Sequence, residues 1–144
     1  MIAQVPHDDV AEQAVIAAIL VDGELLGQAA EIIDVADFFR EKYRAVYRAM
    51  IALAADGRPI DLVTIKRILE AIGALETVGG VPGLASMTEG VQRSVNVAHY
   101  ASIVAERAMA RDLYKRASEI VADVLDSGDT AEIMLDRAEQ AIFE

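Results

Sequence analysis

Cysteine and tryptophan are absent from the 144 residues, and aromatic residues make up only 5 % of the chain. Without cysteine the chain has no disulfide, no thiolate nucleophile and no zinc site with cysteine ligands. This absence fits a reducing compartment, and we expect a cytoplasmic protein. The chain also lacks an apolar run of about 18 residues, the length that a membrane-spanning helix needs, so we expect no membrane segment.

Basic residues are scarce and unevenly placed. Thirteen Lys and Arg stand against 24 Asp and Glu, which gives a formal net charge of −11, and no Lys or Arg precedes Arg40. Tight binding to a phosphate backbone depends on clustered Lys and Arg that release counterions. The charge balance therefore argues against an autonomous DNA- or RNA-binding module.

Proline is limited to Pro6, Pro59 and Pro82, each at a position where a helix would begin. Alanine, the strongest helix former, fills 26 of the 144 positions. Most glycines stand where helices would end. These patterns predict an all-α fold.

Helical periodicity and caps divide the predicted fold into two parts. Residues 1–93 are predicted to form a small head of about five or six helices, over about 9–20, 24–33, 40–55, 62–72 and 82–89. In the first helix, Asp9 is expected to be the N-cap and Glu12 to complete a capping box. Residues 94–144 are predicted to form an antiparallel hairpin. Its first helix, opened by Ser94 or Asn96, would be about 45 Å long for about 30 residues, and its second would run over about 130–143.

The two hairpin helices carry apolar residues at intervals of three and four, the spacing of a helix–helix seam. Because two helices cannot bury both faces of a hairpin by themselves, this pattern predicts self-association. The alternative is that the hairpin folds back onto the head, and the sequence leaves both open. The predicted self-association residues are Ile103, Ala110, Leu113, Ala117, Ile120, Val124, Leu135, Ala138 and Ile142.

No motif in the chain carries recognisable catalytic chemistry. The glycine-rich stretch 79–83 lacks the Lys that a phosphate-binding loop needs, so it is interpreted as a turn. His7 and His99 stand far apart without ligands at helical spacing, and Asp34 and Asp37 are expected to be solvated or to cap a loop. We predict no catalytic, cofactor-binding or metal-binding residue.

Basic residues recur every four positions in two places, at Arg40, Arg44 and Arg48 and at Arg107, Arg111 and Lys115. Such spacing places each set along one helix face. Each face is either solvated and paired with neighbouring carboxylates, or a contact for an acidic partner or another subunit. On the second interpretation, the predicted contact residues are Arg107, Arg111 and Lys115.

A series of short motifs runs along the chain in order: Pro6-His7-Asp8, Ala11–Val15, Phe38-Phe39-Arg40, Ala49-Met50, Gly57–Thr64, Val78-Gly79-Gly80, Asn96, Tyr100-Ala101, Ile103-Val104, Ala138-Glu139 and Ile142-Phe143. The Pro-Ile-Asp-Leu-Val-Thr run at residues 59–64 is the most specific of them. Together, over residues 5–144, they resemble the N-terminal domain of bacterial replicative DNA helicases of the DnaB family. Departures from the family pattern at Ala17, Tyr43, Gly83 and Gln92-Arg93 indicate a divergent member.

The resemblance implies a non-catalytic domain of a larger protein. In that family, hairpins pair into dimers, three dimers form the collar of a hexamer, and the collar docks the C-terminal domain of primase. A helicase loader is a further implied partner, and strong binding of nucleic acid by this domain is not expected. The parent would be an ATP-dependent DNA helicase, with ATP and magnesium bound in an ATPase domain beyond Glu144. The alternative is a stand-alone or primase-side helical adaptor that binds a replicative helicase.

Overall fold

The computed structural model describes residues 4–89 and 96–144, and within these ranges the regular structure is helical, with no strand. Short 3-10 helices at Gly23–Leu25, Val35–Asp37 and Glu76–Val78 lie between the α-helices of the head. The all-α prediction is confirmed, as is the order of a helical head followed by a two-helix hairpin. The α-helices are α1 (Asp9–Val21), α2 (Leu26–Ala30), α3 (Glu41–Ala55), α4 (Leu62–Ala71), α5 (Gly80–Ser86), α6 (Val97–Asp126) and α7 (Ala131–Phe143).

Polar side chains cap the starts of α4 and α6. The Asp61 carboxylate accepts a hydrogen bond from the Thr64 amide at 2.8 Å, and the Asn96 side chain accepts one from the His99 amide at 3.1 Å. Each cap satisfies an amide that has no partner inside its own helix. Asn96 is therefore the residue that opens the long helix, and the other predicted opener, Ser94, lies outside the described residues.

The start of α1 differs from its prediction by one residue. Asp8 is the N-cap, and its carboxylate accepts a hydrogen bond from the Ala11 amide at 2.9 Å. The predicted cap at Asp9 and the predicted capping box with Glu12 are wrong. Asp9 instead pairs with Arg40, and Glu12 turns into the head, where it is 1 % exposed.

Two predicted head helices are shorter than the sequence suggested. The segment predicted as one helix over 24–33 is a 3-10 turn followed by α2, and the helix predicted over 82–89 covers Gly80–Ser86. Gly79 has a φ of +87°, a left-handed conformation that glycine adopts without strain, and α5 begins directly after it. A Cβ atom at Gly83 would lie 2.1 Å from the Val78 carbonyl oxygen, so this close approach leaves no room for a side chain there.

The head core is built by α1, α3 and α4 together with the first two turns of α6. The predicted boundary between residues 93 and 94 lies outside the described residues, and the long helix contributes to this core before it leaves the head. Apolar burial of this kind is the main stabilising contribution to a small domain. The largest buried side chains include Ile16, Ile19, Phe38, Val46, Tyr47, Met50, Leu53, Ile65, Leu69 and Val97, with Ala101 and Val104 on the next turns of α6.

Beyond Val104, the hairpin buries none of its residues. The first part of α6 packs against α1 and α2, and α7 packs against α6. The hairpin seam is polar as well as apolar: the half-buried Ile120 and Asp123 on α6 lie beside Ala138 and Ala141 on α7. The hairpin therefore leaves much of its surface uncovered.

Tyr47 gives the head a pH-dependent stability. Its side chain is fully buried, its hydroxyl donates to the Ile33 carbonyl at 3.0 Å, and burial raises its pKa to about 12. The unfolded phenol titrates near 10, so the native state keeps the proton longer than the unfolded state does. The stabilisation is fully present below about pH 10 and is lost as the pH rises towards about 12.

We expect wild-type protein to lose about 2 kcal/mol of unfolding free energy between pH 10 and 12 relative to a Tyr47→Phe variant. The comparison removes the contribution of other tyrosines, which both proteins share. Urea unfolding followed by circular dichroism at several pH values measures the difference. Equal alkaline losses in the two proteins would show that Tyr47 carries none of this effect.

Candidate functional site: the hairpin face and the head–hairpin junction

Among the large apolar side chains that the hairpin exposes to solvent, one set lies on a single side of it. Leu113, Val124, Leu135 and Ile142 are between 42 % and 61 % exposed, and Ala117 is exposed as well. We call these five residues the hairpin face. Solvent-exposed apolar residues that form a contiguous patch commonly mark an interaction surface.

Helix geometry places the five residues on one side of the α6–α7 seam. Leu113, Ala117 and Val124 follow one another at spacings of four and seven along α6, and Leu135 and Ile142 are seven apart on α7. An open groove of about 550 Å³ joins the two helices, and its lining includes Leu113 and Ile142. The face therefore extends across both helices rather than along one.

The other predicted self-association residues lie elsewhere. Ile120 and Ala138 are half-buried in the seam between α6 and α7, where they hold the hairpin together. Ile103 packs against the head core, and Ala110 is half-buried and lines the groove. Val121, which the spacing argument did not select, is 58 % exposed and lies eight residues after Leu113, so it borders the hairpin face.

The opposite flank of the hairpin carries ion pairs. Arg137 on α7 pairs with Asp123 at 3.0 Å and with Asp129 at 2.8 Å, and these carboxylates raise its pKa. A further pair, Arg116 with Asp112 at 2.9 Å, lines the groove beside Leu113 and Ile142. Such exposed pairs contribute little stability each, but the pairs of Arg137 leave the opposite flank polar and solvated.

The three basic residues predicted as partner contacts lie in different surroundings. Arg107 pairs with its neighbour Glu106, and Lys115 is exposed. Arg111 turns into the chain, where its guanidinium donates to the Pro6 carbonyl at 3.0 Å and to the Asp37 carbonyl at 2.6 Å. Its donors are therefore used inside the chain, and partial burial lowers its pKa.

Arg111 binds to a short segment that we call the junction loop, residues 36–40. Arg44 donates to the carbonyls of Ala36 at 3.1 Å and Phe38 at 2.6 Å. Arg40 forms a two-bond pair with the Asp9 carboxylate, which lowers the pKa of that carboxyl group. Of the first predicted basic stripe, only Arg48 is exposed without such a bond among the described residues.

The buried carboxylate of Glu12 holds the other end of the junction loop. It accepts hydrogen bonds from the Phe39 amide at 2.9 Å and the Arg40 amide at 3.1 Å. These amides lie at the start of α3, where the helix dipole also favours a negative charge. Sequence reasoning missed this role, because nothing local to Glu12 points to amides 27 and 28 residues away.

The two histidines have structural neighbours. The His7 ring stacks on Phe39 at a centroid distance of 4.3 Å and lies 3.5 Å from the Asp9 carboxylate. His99 meets the edge of the Tyr100 ring at 5.1 Å. Across residues 4–89 and 96–144, no group of three His, Asp or Glu side chains could hold a metal ion. No helix in the same ranges combines the length and apolar content of a bilayer span.

Comparison with known proteins identifies the family of this chain. Residues 4–106 match the family described as the DnaB-like helicase N terminal domain. The chain is similar to a "Replicative DNA helicase DnaB" of Geobacillus stearothermophilus, with 37 % identity over 96 % of this chain. It is also similar to a "Replicative DNA helicase DnaC" of Bacillus subtilis (strain 168), with 36 % identity over 96 % of this chain. The chain spans 31 % of the length of each of these relatives.

A solved structure matches the whole described fold. The crystal structure of the N-terminal domain of DnaB helicase from Mycobacterium tuberculosis aligns with a TM-score of 0.90 and 32 % sequence identity. The alignment covers 97 % of this chain and 99 % of that one. On both sequence and structure, the chain belongs to the DnaB-like helicase N-terminal domain family.

Proposed function

We propose that this chain serves as the N-terminal domain of a replicative DNA helicase and that it joins subunits by pairing its hairpin with the hairpin of a second copy. The observation that carries this proposal is the exposed hairpin face. The hairpin face lies on α7 and on the part of α6 beyond Val104, which bury no residue in one chain, so a second copy of the same face would cover these apolar side chains.

Charge supports a second copy as the occupant. The tip of the hairpin, residues 117–137, carries six carboxylates against one arginine, whereas its root, residues 97–116 and 138–144, carries four cations and four carboxylates. Two hairpins that pack side by side in opposite directions bring the acidic tip of each near the charge-balanced root of the other. Like charges at matching positions would instead repel, so electrostatics favours this two-fold pairing.

The role within a larger assembly follows from this pairing. Paired domains would form dimers, and three dimers would complete the collar of a hexameric helicase. Hydrolysis of ATP with magnesium would belong to a separate ATPase domain of the parent protein. This chain would then contribute assembly and no catalytic step.

Light scattering over a concentration series tests the self-association. We expect the mass to rise to twice that of one chain, or to a higher multiple of the dimer, by high micromolar concentration. We expect this increase in mass because association removes the apolar hairpin face from water. A mass that stays at one chain throughout the series would overturn the proposed pairing.

Docking of the C-terminal domain of primase stays a prediction of the family resemblance, as does contact with a helicase loader. The head offers the free surface for such partners, because pairing would occupy the hairpin. Titration calorimetry of the chain with a primase C-terminal domain would separate this role from that of a primase-side adaptor. An adaptor would bind the helicase and ignore primase, whereas a collar domain would bind primase.

A further inference from the structure

The junction loop is held by charged side chains from three different helices. Glu12 comes from α1, Arg44 from α3 and Arg111 from α6, and each bonds the loop's backbone rather than its side chains. Three consecutive carbonyls, at residues 36–38, accept from the two arginines, and the next two amides donate to the carboxylate. The position of this loop is therefore fixed by contacts that do not depend on the identity of most loop residues.

The ring of Phe39 adds a second layer to these contacts. His7 stacks on it at 4.3 Å, and the guanidinium carbons of Arg40 and Arg111 lie 5.1 and 5.4 Å from its centroid. Cations at such distances are attracted to the ring face. Arg111 also donates to the Pro6 carbonyl, so it ties residues 4–8, the N-terminal lead, to the same point.

Arg111 occupies a special position along α6. The last residue of α6 buried in the head core is Val104, two turns before Arg111. Within the described residues, the side-chain hydrogen bonds from α6 to the head come from Arg111 alone. After it, side chains of α6 bond within their own helix, as in Ser118, or to α7, as in Arg116.

We propose that Arg111 is a positioning residue that fixes the direction in which the hairpin leaves the head, working through the junction loop and the N-terminal lead. The hairpin extends about 22 Å past Arg111, so a rotation of about 10° at this point moves the tip by about 4 Å. A ligand that displaces the lead or the Phe39 ring would release the hairpin to a wider range of directions. We call these contacts of Glu12, Arg44 and Arg111 with the junction loop the clamp. They form within one chain and do not depend on the binding of a second copy.

The absence of cysteine permits a direct test. Cysteines introduced as Ala55→Cys at the end of α3 and Ala122→Cys on distal α6 carry one spin label each, and both positions are exposed. Pulsed electron resonance then gives the distribution of distances between head and hairpin. An excess of unlabelled protein removes distances between chains.

We expect Arg111→Gln to widen this distance distribution about twofold, because its amide cannot reach both carbonyls. Lys115→Gln is the control, since it also removes one positive charge from α6 but leaves the clamp intact, and it should match the wild type. Arg111→Lys keeps the positive charge but lacks the planar, forked guanidinium group that donates to both carbonyls. Its distance distribution should be intermediate in width, and its circular dichroism spectrum should match that of the wild type. This variant keeps the test valid if Arg111→Gln fails to fold. Distributions that stay as narrow as the wild type in the folded Arg111 variants would overturn the proposal, even if those variants lose stability.

Discussion

Replacing Glu12 with glutamine is expected to lower the free energy of unfolding by about 3 kcal/mol. The wild-type carboxylate is 1 % exposed and accepts from two backbone amides at the start of α3. Glutamine has nearly the same shape but offers one acceptor oxygen, and its NH₂ group faces a donor. One buried amide loses its partner, and the charge that complements Arg40 and Arg111 disappears. Urea denaturation followed by circular dichroism at neutral pH measures the loss.

Glu31→Gln is the matched control for this prediction. Glu31 is exposed and makes no side-chain hydrogen bond within the described residues, so its substitution should change stability by less than about 0.5 kcal/mol. If Glu12→Gln costs no more than this control, the carboxylate does not hold the junction loop as described. A loss of about 3 kcal/mol with unchanged secondary structure would support the clamp from the side of α1.

Local features of the sequence were sufficient to predict most of the helices. A cap at Asp61 or Thr130 and a glycine at residue 57 or 73 act on neighbouring backbone, so their effects are visible within a few positions. The all-α class, the long helix and the antiparallel hairpin followed from such signals. The N-cap of α1 was predicted one residue too late, at Asp9 instead of Asp8. Both aspartates suit the cap position, and the ion pair of Asp9 with Arg40 distinguishes them.

Contacts between residues far apart in the sequence could not be predicted from such local features. The partners of Arg111 lie 74 and 105 residues away, and a basic repeat every four residues gives no information about distant carbonyls. The hairpin shows a subtler limit. Intervals of three and four select a broad stripe, and Ile120 and Val124 both belong to it. Which of them meets α7 and which stays exposed depends on how the two helices are rotated about their axes.

The second large effect is expected from Leu113→Glu. Leu113 is 57 % exposed in one chain and lies on the hairpin face, so pairing would bury it in both copies. The substitution removes an apolar contact and places a carboxylate against an apolar surface twice in each dimer. We expect a loss of about 4 kcal/mol per dimer, which weakens the dissociation constant roughly a thousandfold.

Leu125→Glu provides a control of identical chemistry. Leu125 is 76 % exposed on the same helix, and its position twelve residues later places it about a third of a turn away from Leu113. It lies outside the hairpin face as defined above. Glutamate is a good helix former, so neither variant should disturb α6 itself.

Sedimentation equilibrium of the wild type, Leu113→Glu and Leu125→Glu, each over the same concentration range, tests the hairpin face most directly. The hairpin face predicts that the wild type and Leu125→Glu associate with similar dissociation constants, while Leu113→Glu remains a monomer until its concentration is raised about a thousandfold. A Leu113→Glu protein that associates as strongly as the wild type would contradict the pairing, and so would equal weakening by both substitutions.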